Sequence, residues 1–195
     1  MATGTSHEEV NAGTTSEGVT GAPPEDDRRW MEPRLTSEQV WQALAKASFA
    51  ILGYVTPSGD ARSSGVVYKT VGNRLYIAVA PDSWKAKHVS ASGRVAVTVP
   101  VRRGGILSLV FPIPPATISF HATAIVHRAG SLEVRTLSKE LASLLPAERR
   151  ASSCLIEVLP EGEFLTYGLG IPLRKMRTPA SAQARVAVSQ EGRTR

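Results

Sequence analysis

A single cysteine, Cys154, rules out an intrachain disulfide and gives no reason to place the chain in an oxidising compartment. In the run SSCLIEV it reads as a small apolar strand residue rather than a reactive thiol. Long apolar runs are as scarce. The longest, GILSLVFPIPPATISF, is broken by Pro112, Pro114 and Pro115, which excludes a spanning helix there. The opening stretch MATGTSHEEVNAGTTSEGVTGAPPEDD has no apolar core of the kind a signal peptide needs, so a cytoplasmic protein without membrane contact is expected. Aromatic residues form 6% of the chain and are not interleaved with the basic ones, which argues against nucleic acid as a partner. A Walker sequence, a nucleophile triad and paired carboxylates are all missing, and no residue is singled out as catalytic. His121 and His127 fall on one face of a strand but about 20 Å apart at roughly 3.3 Å per residue, too far to share a metal. With no Cys or carboxylate cluster beside them, no metal site is expected.

Positive charge is missing from one end. Residues 1–27 carry Glu8, Glu9, Glu17, Glu25, Asp26 and Asp27 and no Lys or Arg, a charge of −6. Since the whole chain carries +6, the remainder carries +12. So basic a body favours an anionic partner, and a phosphorylated cofactor fits better than nucleic acid here. Residues 1–30 have too little apolar content to form a core and are expected as a disordered acidic arm. One domain is expected over 31–178, with a disordered basic tail over 179–195.

The stretch from Ala50 to Val101 organises the rest. Ahead of it, Leu35-Thr36-Ser37-Glu38-Gln39-Val40 is a complete helix start. Thr36 is the N-cap, Gln39 its capping-box partner, and Leu35 staples to Val40. Val40, Trp41 and Leu44 then give the helix one apolar face, which should lie on a sheet with Trp41 in the core. FAILGYV is the first strand and Pro57-Ser58-Gly59-Asp60 its turn. The second strand is expected over Arg62–Thr70 and the third over Arg74–Ala80, joined by Val71-Gly72-Asn73, where Gly and Asn supply positive φ. Short loops between them make the sheet antiparallel.

Pro81-Asp82 ends the third strand, and Asp82 or Ser83 caps a short helix. Lys85 lies in its first turn, where a cation opposes the helix dipole, so it is not there for helix stability. A hydroxyl, two lysines and helix N–H groups there suit a phosphate. Further strands are expected over Arg94–Val101 and Thr117–His127, a second helix over Gly130–Leu145, and a last strand pair, SSCLIEVLP and EFLTYGLG, around Pro160-Glu161-Gly162. Gly168-Leu169-Gly170 reads as a turn. Six or so antiparallel strands with two or more helices indicate a mainly β protein closed into a small barrel, since closure removes aggregation-prone edges.

The succession FAILGYV, PSGDARSSGVVY, NRLYIAVA, SWKAKHV and GRVAVTV resembles the pyridoxamine 5′-phosphate oxidase-like, FMN-binding split barrel, over roughly Thr36–Leu169. The resemblance implies a six-stranded antiparallel split β-barrel and a homodimer with the cofactor between barrels. It implies a flavin-dependent oxidoreductase acting on a small-molecule substrate. On this resemblance Arg62, Ser63, Ser64 and Val66 line the ring and ribityl chain, and Ala78 and Val79 give close backbone approach. Ser83, Trp84 and Lys85 stand where the family has a phosphate-gripping Ser-Arg-Lys. Trp84 replaces the arginine, and Arg62, Lys69 or Lys87 would have to compensate. Two alternatives stay open. One is a deazaflavin-dependent reductase whose longer anionic cofactor would use Arg102, Arg103, Arg174, Lys175 and Arg177. The other is a non-catalytic flavin- or haem-binding protein with His121 or His127 as the axial ligand.

Overall fold

The computed structural model describes residues 35–103, 114–131, 135–137, 139–172 and 182–188. The acidic arm 1–30 lies outside them. Helix α1, Ser37–Lys46, begins as the sequence dictates. The Gln39 N–H donates to Thr36 Oγ1 at 3.2 Å while the Thr36 N–H donates to Gln39 Oε1 at 2.9 Å, which satisfies two of the helix's orphan donors. Leu35, Val40 and Leu44 are buried in one core, and the Trp41 ring stands edge-on to Phe164 with centroids 5.4 Å apart.

The strands described are β1 (Phe49–Val55), β2 (Ala61–Val67), β3 (Lys69–Val71), β4 (Arg74–Val79), β5 (Arg94–Val101), β6 (Ala116–His127), β7 (Cys154–Tyr167) and β8 (Gln183–Ala187). A second helix, α2, spans Trp84–Ser92, and a 3₁₀ turn spans Ala147–Ser152. The strands form one antiparallel sheet in the order β2-β1-β5-β6-β7-β4-β3, with β8 added on β7. The strands β2 and β3 stand at opposite ends of that order yet are joined by Tyr68 alone. A flat sheet cannot meet that condition, so this one curls until its ends meet, which is the split barrel that the sequence led us to expect.

Several local expectations are corrected. The single strand expected over Arg62–Thr70 breaks at Tyr68, because the chain must leave one edge of the sheet and join the other there. In the β3–β4 turn only Gly72 has positive φ, +57°, and no non-glycine residue among those described does; one such residue suffices for this two-residue loop. The last strand pair is instead one long strand, β7. Pro160 and Gly162 (φ +67°) mark a bulge in it, not a turn: between Ser119↔Leu165 and His121↔Glu161 the chain of β7 runs two residues longer than that of β6. The described part of Gly130–Leu145 forms successive helical turns rather than one helix, and Leu141 and Leu145 pack with Tyr76 and Leu155 outside the barrel. Part of the expected disordered tail is β8, where Ala184 and Val186 alternate inward opposite Thr166 and Phe164. Its basic composition hid that alternation. No helix among the described residues is long and apolar enough to cross a membrane.

Tyr68 is held at both ends of its side of the junction. Its N–H donates to the Ser48 carbonyl at 3.0 Å, and its buried hydroxyl donates to the Leu44 carbonyl in the last turns of α1 at 2.7 Å. Burial pushes the phenol far above its ordinary value of 10.0. The protonated form is therefore the folded one, and its contribution is complete below pH 10 and is lost as pH rises beyond it. Tyr68→Phe should cost about 1–2 kcal/mol in urea denaturation, since a buried carbonyl loses its donor. The variant should also lose part of the wild-type fall in stability above pH 10; an unchanged alkaline limb would contradict this account.

Candidate cofactor site

The start of α2 is built by its sequence. Ser83 is extended (φ −63°, ψ 138°), and its Oγ accepts from the Ala86 N–H at 3.2 Å, while the Lys87 N–H donates to the Ser83 carbonyl. Among the described residues the Trp84 and Lys85 N–H groups find no acceptor. The first turn holds no acid, and instead carries Lys85 and Lys87. Ala86 and Val89 bury one face of the helix in the core and so fix its axis, along which those N–H groups point.

The β1–β2 hairpin approaches this helix. Cross-strand pairing sets Arg62 beside Tyr54, Ser64 beside Leu52 and Val66 beside Ala50, all on the inward face, whereas Ser63, Gly65 and Val67 face outward. The Tyr54 hydroxyl and Ser64 Oγ are 3.2 Å apart. The Tyr54 ring lies 5.7 Å from His88, and His88 lies 5.7 Å from Trp84. Lys87 Nζ is 5.0 Å from the Trp84 ring centre. Among the described residues no carboxylate pairs with Arg62, Lys85 or Lys87. The arrangement therefore sets unneutralised cations beside two free amide donors, a combination that attracts an anion.

The residues expected from sequence divide into two groups. Ser83, Trp84 and Lys85 share the start of α2, and Ser64 reaches that helix through Tyr54 and His88. Arg62 is exposed on the same face of β2. Val66 and Val79, in contrast, are buried in the main core, and Ala78 packs against the Tyr76–Leu141–Leu145–Leu155 cluster, so these three offer a ligand only main chain. Ser63 faces the other way. Tyr54 and His88 escaped the sequence reading. The signals were present: Tyr54 continues the inward alternation of Ala50 and Leu52, and His88 lies one helical turn after Trp84.

The residues proposed for the alternatives are also separated. Arg103 donates to the Ile171 carbonyl, and Arg174, Lys175 and Arg177 lie outside the described residues. His127 Nε2 is 2.6 Å from Glu157 Oε2, whereas His121 is exposed on the outer face of β6. Glu157 is itself buried, with Arg74 and Tyr76 donating to its other oxygen. Burial pushes this carboxyl up, but the hydrogen bonds from His127 and Arg74 outweigh it and hold it below its ordinary 4.5. Its stabilising contribution is thus present above pH 4.5 and is lost as pH falls through the lower folded value. Glu157→Gln should cost about 1–3 kcal/mol at pH 7, the scale of hydrogen bonds to charged groups. The gap to wild type, measured by urea titration, should shrink below pH 4; a gap of constant size would contradict the assignment.

No sequence-family model matches the chain, and no curated protein matches it in sequence. Solved structures share its fold. A heme-binding protein from Mycobacterium smegmatis is similar at 12% identity and TM-score 0.59, covering 81% of this chain and 60% of that one. HutZ, the heme storage protein from Vibrio cholerae, is 12% identical with TM-score 0.53, covering 70% of this chain and 98% of its own. An FAD-binding protein from Mesorhizobium loti is 14% identical with TM-score 0.51, covering 65% and 89%. At such identities the likeness speaks for the fold alone, the curled antiparallel split barrel described above.

Proposed function

We propose that the protein holds FMN, with the phosphate at the N-terminus of α2, and acts as a flavin-dependent oxidoreductase on a small-molecule substrate. The observation that carries this reading is the pair of acceptor-free N–H groups, on Trp84 and Lys85, beside cations with no carboxylate partner. The Ser83 hydroxyl accepts in the helix cap and keeps its own proton to donate to a phosphate oxygen. Lys85 and Lys87 supply counter-charge, and Arg62 and Ser64 lie along the adjoining face of β2, where a ribityl chain and ring would run. When bound, the flavin supplies the redox step, and the chain positions it and excludes water. The Mesorhizobium loti protein of the same fold is named for binding FAD, which is in keeping with a flavin here.

A homodimer belongs to this reading. The outward face of the sheet carries exposed Phe49, Ile51, Val67 and Leu165, and the Phe49 ring lies over Gly65, 3.0 Å from where a Cβ would be. Strand pairing sets Gly65, Ile51, Thr98, Ser119 and Leu165 in one row across five strands, a broad weakly polar surface suited to burial against a second copy. Haem is the second reading. It is favoured by the exposure of His121 next to that surface, and two of the proteins sharing the fold are named for heme. Glu157 occupies His127, so His121 is its axial candidate.

FMN titration followed by flavin fluorescence should show saturable binding that raises the melting temperature, and Lys85→Ala should weaken it about tenfold by loss of a charge-assisted hydrogen bond. Riboflavin, lacking the phosphate, should not distinguish the variant from wild type. If FMN and riboflavin respond alike to the substitution, the phosphate assignment fails. A Soret band on hemin addition that disappears in His121→Ala would favour haem instead.

A further inference from the structure

Trp84 is the most exposed large apolar side chain among those described, at 71%. It is nonetheless braced. His88 lies against it with rings tilted by 39°, Tyr54 lies against His88 at 44°, and Ser64 Oγ meets the Tyr54 hydroxyl. His88 Nδ1 is buried and has no hydrogen-bond partner, so the imidazole holds its place there by ring contact rather than by polar bonds. An indole left in water costs hydrophobic free energy, and the packing of α2 does not need it, because Ala86 and Val89 already anchor the helix. The ring is therefore a supported plane facing solvent, one residue past the Ser83 cap and flanked by a lysine whose ammonium already rests at its ring.

We infer that Trp84 is a stacking platform for a nucleobase, and that the anion at the start of α2 is the phosphate of a nucleotide whose base extends over that ring. This deepens the flavin reading and rests on its placement of the phosphate. A base arriving at the indole exchanges water for a second π-face, and Lys87 can move from the ring to a phosphate oxygen. The indole at this position offers stacking area and no charge. The site is thereby shifted from a ligand that ends at its phosphate toward one that continues past it, such as a dinucleotide flavin. His88 acts as a positioning residue that holds the plane.

Calorimetry and tryptophan fluorescence on the full-length protein with ADP, ribose 5-phosphate, FMN and FAD test this. ADP should quench emission and bind about tenfold more tightly than ribose 5-phosphate, the scale of one base stacked on an aromatic side chain. FAD should exceed FMN by a similar factor. Trp84→Ala, which keeps the main-chain N–H, should abolish both advantages, so that ADP binds no more tightly than ribose 5-phosphate and FAD no more tightly than FMN. Trp84→Phe should keep part of them, and His88→Ala should reduce them. Equal binding of ADP and ribose 5-phosphate, or an ADP advantage that survives in Trp84→Ala, would overturn the inference. So would a Trp84→Ala effect confined to sedimentation behaviour, which would assign the ring to contact between subunits. The two readings fail separately: Trp84-dependent ADP binding without any flavin binding removes the flavin, whereas FMN binding with no base advantage removes the platform.

Discussion

The fold hangs on a one-residue passage. The chain leaves β2 at Val67 and enters β3 at Lys69, and these strands are the two ends of the sheet order. Tyr68 alone spans them, so the sheet has to curl, and its hydroxyl ties the junction to the C-terminal turns of α1. Curling creates an interior that takes the alternate residues of β1, β4, β5, β6 and the first half of β7. It also leaves β2 without a strand on its far side in the sheet order. That edge bears Arg62 and Ser64, and it is where α2 approaches through Tyr54 and His88.

The chemistry of the site follows from what the start of α2 omits. A helix N-terminus is usually made comfortable by an acid in its first turn, and this one has none. Lysines in that position raise the local potential instead of lowering it, which is a small cost to the helix and a gain for any anion that binds. Among the described residues the buried carboxylate lies elsewhere: Glu157 is enclosed by Arg74, Tyr76 and His127 on the opposite side of β4 from the core. Its charge is matched where it stands, and it holds together β4, β6 and β7 rather than taking part in the site.

Local signals in the sequence were read well where they depend on neighbours in the chain. The Thr36–Gln39 capping box, the strand over 117–127 and the cap at Ser83, one of two candidates there, are each decided within a few residues, and each stands in the structure. Tertiary choices were harder to read. Pro160 and Gly162 look like a turn to any local rule, and only the need of β6 and β7 to stay paired past a bulge keeps them in one strand. Val186 was masked by its basic surroundings, although pairing with Phe164 buries it. In the site, the residues of α2 were legible because a hydroxyl and lysines at a helix start carry a chemical meaning of their own. Tyr54 and His88 carry none until the hairpin and the helix are brought together. Val66 shows the reverse case, since a family pattern pointed to it and packing took its side chain into the core.

The account's central claim is that the N-terminus of α2 holds the phosphate of a flavin. The absorbance spectrum and native mass of the protein as purified test it most directly. The account predicts a yellow protein with flavin absorption bands, whose mass exceeds that of the chains by a phosphorylated flavin and falls to the chain mass on denaturation. A colourless protein whose native mass equals that of its chains, and which gains no heat stability from added FMN or FAD, would contradict it.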